Sequence, residues 1–85
     1  KGNSMIEDGI FNDDLVLIRK QESAKNGETV VALINNEATL KRFYKKSDQI
    51  ILMPANSELK PIKVQSDQDF RIAGICAGVL RGLNT

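Results

Sequence analysis

Eighty-five residues allow one small domain, or part of one. Twelve Lys plus Arg against eleven Asp plus Glu leave a net charge of +1, which gives no broad pull towards nucleic acid or an anionic membrane surface. A hydrophobic share of 41% with 27% charged residues reads as folded, and zero histidines beside a single cysteine exclude Ser-His-Asp and Cys-His catalysis, the usual zinc sites and an internal disulfide.

Taken in chain order, the pattern is strand-like nearly throughout. Met5 to Ile10 has room for one short helical turn, and no 3.6-residue period persists anywhere else. Leu15-Val16-Leu17-Ile18 reads as a short strand, and Asn26-Gly27 is a turn signal ahead of the β-rich run Thr29 to Ile34. Asn35-Asn36 suits a two-residue hairpin turn that needs positive φ, so Thr39 to Tyr44 is expected to fold back on that run. Ser47-Asp48 makes the next corner before Gln49 to Met53, and Pro54 ends that strand because proline cannot donate to a ladder. Pro61 to Val64 is a short strand, and Phe70 to Leu80 is a long apolar one whose Gly74 and Gly78 mark bulges or close backbone approach. The expected fold is therefore mostly β: a small, coiled antiparallel sheet or barrel-like meander with at most one short helical turn.

No apolar run approaches the ~20 residues of a membrane span, so no membrane association is expected. Cys76, alone, fits a reducing compartment and a cytoplasmic setting. The start at Lys1-Gly2, with neither an initiator Met nor a leader, reads as a piece of a longer protein.

Without histidine, the remaining proton-handling groups are carboxylates, tyrosine and lysine. Gly2-Asn3-Ser4-Met5 places a hydroxyl in a tight segment whose backbone amides can face a substrate, although such wording is also ordinary turn chemistry. On the Thr39–Tyr44 strand a period of two puts Thr39, Lys41 and Phe43 on one face. A free lysine is neutral in only about one molecule in 2,500 at pH 7. To serve as a base it needs its pKa lowered by roughly three units, and burial is the available lever. On periodicity alone, Lys41, Arg42, Lys45 and Lys46 read as a solvated basic edge. Cys76, between Ile75 and Ala77, reads as a core thiol. Glu7, Asp8, Asp13 and Asp14 read as solvated loop charge rather than as a metal site, so neither a metal nor a cofactor is expected.

The combined wording is more specific than its parts. Gly2-Asn3-Ser4-Met5 with Gly9-Ile10 and Asp13-Asp14-Leu15 resembles the nucleophile segment of LexA-type repressors and their self-cleaving relatives. Asn26 to Ile34 resembles the strand that follows, and Glu37 to Phe43 the strand of the catalytic lysine. Pro54-Ala55-Asn56-Ser57 through Pro61-Ile62 resembles the family's Pro-x-Asn-x…Pro-Ile signature, and Gly74 to Leu80 its terminal strand. The likeness runs in order over almost the whole chain, and its wording is closer to the LexA branch than to phage repressors or UmuD-type mutagenesis proteins.

The resemblance implies a Ser-Lys dyad peptidase that cuts its own chain. Ser4 would be the nucleophile and Lys41 the general base. The amides of Asn3 and Ser4 would form the oxyanion hole, and Thr39 would help to orient the lysine. It also implies a homodimer built through the terminal strand, stimulation by RecA filaments on single-stranded DNA, and operator binding only through an N-terminal domain that this chain lacks. The family's scissile Ala-Gly bond lies upstream of the nucleophile. Ala73-Gly74 and Ala77-Gly78 are expected to be paired within the last strand and are rejected as cleavage sites. Two rivals stay open: a dimerisation module without catalytic competence, and a Ser-Lys peptidase acting on separate substrates as signal peptidases do.

Overall fold

The computed structural model describes residues 3–81. Among the described residues a single 3₁₀ turn, Ile6–Asp8, precedes six strands: β1 (Leu15–Lys20), β2 (Thr29–Ile34), β3 (Glu37–Lys46), β4 (Gln49–Met53), β5 (Ile62–Lys63) and β6 (Phe70–Leu80). All pairings are antiparallel, in one sheet of order β1-β6-β2-β3-β4-β5. The mostly β expectation holds, with β1 and β5 as the two edges. Among the described residues no helix is long and apolar enough to cross a membrane.

The β2–β3 hairpin forms as the sequence dictates. Asn35 and Asn36 take φ of 50° and 70°, the left-handed pair that matches the twist of a two-residue hairpin, and Ile34 pairs with Glu37. Asn35 is further held where its amide donates to Asp69 and its side-chain oxygen accepts from the Asp69 amide. Asn26-Gly27 is a turn, with Gly27 at φ 92°, yet it joins no hairpin. β1 and β2 are not neighbours, because β6 returns to lie between them.

The core row runs across this sheet. Val30, Ala32, Phe43, Leu52, Ile72 and Ile75 form one buried cluster. Pairing keeps partners on a common face, so Val30 aligns with Ile75 on one side and with Lys41 on the other. Ile72 and Ile75 lie three apart and would face opposite ways in a regular strand. A bulge resolves this: Val31 pairs with Gly74 and Ala32 with Ile72, leaving Ala73 as the extra residue. A second bulge sets Leu17 against Gly78 and Ile18 against Cys76, so Ala77 is extra. Both interior glycines thus follow a bulge, and Gly74 is also a point of close approach. A Cβ there would overlap Ile18 Cγ2 and lie 2.9 Å from the Arg19 carbonyl oxygen.

Three expectations need correction here. Ala77 is exposed at its bulge rather than sealed within the sheet, although both Ala-Gly pairs do lie inside β6. Cys76 is half-buried, with its thiol facing the Gly78 carbonyl at 3.8 Å, because it points away from the face that buries Ile75. β6 is also not free along its whole length for pairing with a copy. β2 occupies one side at Phe70 to Ile75 and β1 the other at Gly74 to Leu80. Among the described residues, β6 lacks a strand partner at residues 76–80 on the side towards β2 and at residues 70–73 on the side towards β1.

Candidate active site

Ser4 sits in the turn that leads into the 3₁₀ turn, and this turn is closed by its own backbone. The Met5 carbonyl accepts from Asp8 and Ile10, the Ile6 carbonyl accepts from Gly9, and Gly9 supplies the left-handed φ of 78° that ends the turn. Met5 is buried and anchors the segment, its sulfur accepting from the Ala55 amide at 3.4 Å. The Glu7 amide donates to the Ala55 carbonyl at 2.7 Å. The Glu7 carboxylate in turn accepts from the Ser57 amide, and that bond holds its pKa below the usual carboxylate value.

Where β4 leaves the sheet decides what stands beside Ser4. β4 pairs with β3 only from Arg42 to Lys46 and ends at Met53, opposite Arg42. The stretch Glu37 to Lys41 of β3 therefore has β2 on one side and no strand on the other among the described residues. Residues 54–58 and the Ser4 turn occupy the region just beyond Met53. Arg42 fixes the turn to β3 with a two-armed ion pair to Asp8, its Nε donating to Oδ2 at 2.9 Å. The Asp8 carboxylate raises the Arg42 pKa, keeping the guanidinium charged.

Lys41 is the buried cation of this arrangement, 9% exposed. It lies on the core face in line with Val30 and Ile75, and its ammonium group reaches Ser4 Oγ at 3.1 Å and Thr39 Oγ1 at 2.6 Å. Burial lowers its pKa from the ordinary lysine value, because the low-dielectric surroundings penalise the charged form. Thr39, Lys41 and Phe43 share a face as the strand period requires. Phe43 packs into the core while the other two face Ser4. The basic run is not one solvated edge: Lys41 is buried, Arg42 is paired, and only Lys45 and Lys46 are exposed.

The Ser4 amide donates to no acceptor among the described residues. The Asn3 carbonyl, by contrast, accepts from Asn56 Nδ2 at 2.8 Å. Ser4, Thr39 and Lys41 open into a groove of about 850 Å³, walled by Ile10 to Asp14 and Val16, by Glu37 to Leu40, and by Pro54, Leu59, Lys60 and Ile62. The Ile10–Asp14 wall is strapped to the end of β6. Arg81 donates to both oxygens of Asp14 at 2.9 and 2.6 Å, donates to the Gly9 carbonyl, and lies 4.8 Å from the centre of the Phe11 ring.

All four positions singled out from the sequence therefore come together: Asn3 and Ser4 on the turn, Thr39 and Lys41 on β3. The acidic residues differ from the expectation of free loop charge. Glu7, Asp8 and Asp14 each bind a protein partner, while Asp13 stays exposed at φ 73°. Among the described residues no group of three His, Cys, Asp or Glu side chains is placed to hold a metal. Sequence reasoning gave Asn56 only as part of the family wording, with no role, and missed the two arginine straps. For Asn56 a signal existed, since an Asn two residues before Glu58 suits an Asx turn, and Asn56 Oδ1 does accept from the Glu58 amide at 2.9 Å.

Comparison with known proteins matches residues 1–77 to the family described as Peptidase S24-like. The chain is 51% identical over 80 residues to a LexA repressor of Syntrophotalea carbinolica, covering 94% of this chain and 40% of that protein. It is 53% identical over 83 residues to a LexA repressor of Alkaliphilus oremlandii, covering 98% and 39%. It is 48% identical over 81 residues to one of Caldicellulosiruptor saccharolyticus, covering 95% and 39%. The chain thus spans about two-fifths of the length of the curated relatives it matches.

Proposed function

This chain belongs to the Peptidase S24-like family, and we propose that it is the self-cleaving, C-terminal part of a LexA-like repressor of the DNA-damage response, acting in the cytoplasm through a Ser4–Lys41 dyad. The observation that carries the reading is the 3.1 Å contact between Ser4 Oγ and the ammonium nitrogen of a buried lysine whose pKa is depressed. A weak nucleophile needs a base within hydrogen-bond reach, and this lysine is both within reach and biased towards its neutral form.

In the proposed reaction, neutral Lys41 takes the Ser4 proton as Oγ attacks the carbonyl carbon of the scissile peptide. The negative charge on the carbonyl oxygen is met by the amides of Asn3 and Ser4. Collapse breaks the C–N bond, Lys41 returns the proton to the leaving amine, and water then hydrolyses the acyl-serine by the same base. Thr39 Oγ1, 2.6 Å from the lysine nitrogen, holds it in line. The strand edge at Glu37 to Lys41, free on the groove side, suits an extended peptide segment added as a further strand across Ser4.

The likeness to LexA repressors extends the proposal to the assembly: a longer chain with an upstream DNA-binding part, a scissile segment between the two parts, and stimulation by RecA filaments on single-stranded DNA. Dimerisation is proposed through the open edge of β6 at residues 76–80, with the exposed Leu80 at its end and the exposed Leu15 and Leu17 on β1 across the strand. The test is self-cleavage of the chain carried with its preceding segment. Cleavage should be abolished by Ser4→Ala and by Lys41→Ala, each still folded, and its rate should be independent of protein concentration. A rate proportional to concentration supports a peptidase acting on separate substrates. Absence of cleavage with and without RecA filaments supports a dimerisation module alone.

A further inference from the structure

Two polar or charged side chains are buried among the described residues, Lys41 and Asn56. Both converge on the Ser4 turn, from opposite sides of the chemistry: Lys41 on the hydroxyl, Asn56 on the backbone just before it. Asn56 is 7% exposed, more deeply buried than the lysine. Both ends of its amide bond to backbone, Nδ2 donating to the Asn3 carbonyl at 2.8 Å and Oδ1 accepting from the Glu58 amide at 2.9 Å. The bond to Glu58 closes a turn within the 54–58 loop, so the side chain is held before it meets Asn3. The loop is itself pinned to the turn after Ser4 by Glu7 and Met5.

The Asn3–Ser4 peptide is trans. In a trans peptide the carbonyl and the following N–H point in opposite directions in one plane, so a donor that fixes the Asn3 carbonyl also fixes the direction of the Ser4 amide. That amide has no acceptor among the described residues. A rigidly aimed donor at the nucleophile, with no acceptor among the described residues, is what a developing oxyanion requires, because such a donor stabilises charge without reorganising at the moment of reaction.

Resting on the dyad reading above, we infer that Asn56 is a positioning residue for the oxyanion hole: its buried side-chain amide holds the Asn3 carbonyl and thereby aims the Ser4 amide. It acts through the peptide and does not touch the substrate. Its loss therefore lowers the reactivity of Ser4 without altering the titration of Lys41. The isostere Asn56→Asp keeps the acceptor for Glu58 and replaces the donor to Asn3 by a charged acceptor. Asn56→Ala removes both without adding a charge.

The test is covalent labelling of Ser4 in this chain by a fluorophosphonate, followed by mass spectrometry across neutral to alkaline pH. In that reaction Ser4 Oγ forms a bond to phosphorus, fluoride leaves, the serine proton passes to Lys41, and the phosphoryl oxygen takes the oxyanion position. The wild-type chain should label at Ser4, and Asn56→Asp should slow labelling about tenfold or more, below the ~10²–10³-fold of an outright lost oxyanion donor because the Ser4 amide is misaimed rather than removed. Asn56→Ala should be slowed likewise with its pH midpoint where the wild type has it. Ile72→Val, a core change away from the groove, serves as a control for lost stability and should label at the wild-type rate. Wild-type labelling of Asn56→Asp overturns the inference, as does a displaced midpoint in Asn56→Ala or an equal slowing in Ile72→Val at the same melting temperature. A wild-type chain that does not label, or one whose labelling survives Lys41→Ala, overturns the dyad itself and the inference with it.

Discussion

The Lys41 ammonium nitrogen lies 3.1 Å from Ser4 Oγ across a separation of thirty-seven residues, and the contact is made from the core side of the sheet. That origin explains its chemistry. In the position where Val30 and Ile75 continue the apolar row, strand β3 supplies a lysine, so the fold carries a charge where it would ordinarily carry a hydrocarbon. The cost of that charge lowers the pKa of the side chain, which the proposed base role requires.

The same cost sets a pH dependence of stability. The folded-state pKa of Lys41 is depressed below its ordinary value of 10.5, so the unfolded chain binds that proton more tightly than the folded one. Below the folded value the penalty on the folded state is fully present. As pH rises from there towards 10.5 it is relieved. Lys41→Met keeps the stem and removes the titration. Its stability relative to wild type, measured by urea unfolding, should therefore be highest near neutral pH and decline as pH rises. A difference that does not change with pH would contradict a desolvated lysine.

Thr39→Val replaces the hydroxyl 2.6 Å from the lysine nitrogen by a methyl group of similar size. The ammonium form loses an acceptor, so the midpoint of Ser4 labelling should move to lower pH while the plateau rate falls about tenfold through lost orientation. Labelling with an unchanged midpoint and rate would reduce Thr39 to an ordinary strand residue.

Gly74→Ala should destabilise the sheet by about 1–3 kcal/mol, the usual range for overpacking. The new Cβ meets both the Ile18 side chain and the Arg19 carbonyl oxygen. Trimming the flexible neighbour with Ile18→Ala should recover only part of the loss, because the backbone oxygen at 2.9 Å remains. Full recovery in the double variant, read from thermal unfolding, would show that the side chain alone was at fault.

Asp14 links the groove wall to the last strand. Its carboxyl is held down to about 2 by the Arg81 guanidinium and by the Phe11 amide, against an ordinary value of 3.8. With a depressed folded pKa, its contribution is present above the ordinary value and lost as pH falls towards 2. Asp14→Asn should therefore be less stable than wild type at neutral pH, with the gap closing across that acid window. A gap that persists at the acid end would assign the loss to packing rather than to the ion pair.

Much of this was legible in the sequence, and the limits of legibility have a physical pattern. Local rules placed the Asn35-Asn36 hairpin, the end of β4 at Pro54, and the common face of Thr39, Lys41 and Phe43, because turn conformation and strand period are properties of neighbouring residues. The family wording pointed to Ser4 and Lys41 where periodicity alone left Lys41 an ordinary surface charge. What was not legible depends on contacts far apart in the chain. These include the return of β6 between β1 and β2, the bulge at Ala73 that buries both Ile72 and Ile75, and the Arg81–Asp14 strap across sixty-seven residues. Asn56 lies between these cases. Its turn with Glu58 is local, but its hold on Asn3 spans fifty-three residues.

The central claim is that Lys41 in its neutral form activates Ser4, and the pH profile of Ser4 reactivity tests it most directly. The rate of fluorophosphonate labelling at Ser4 should rise with pH through a single deprotonation whose midpoint lies below the ordinary lysine value of 10.5, and Lys41→Ala should remove both the rise and nearly all of the rate. A profile that is flat from neutral to alkaline pH, or one that Lys41→Ala leaves in place, would contradict it.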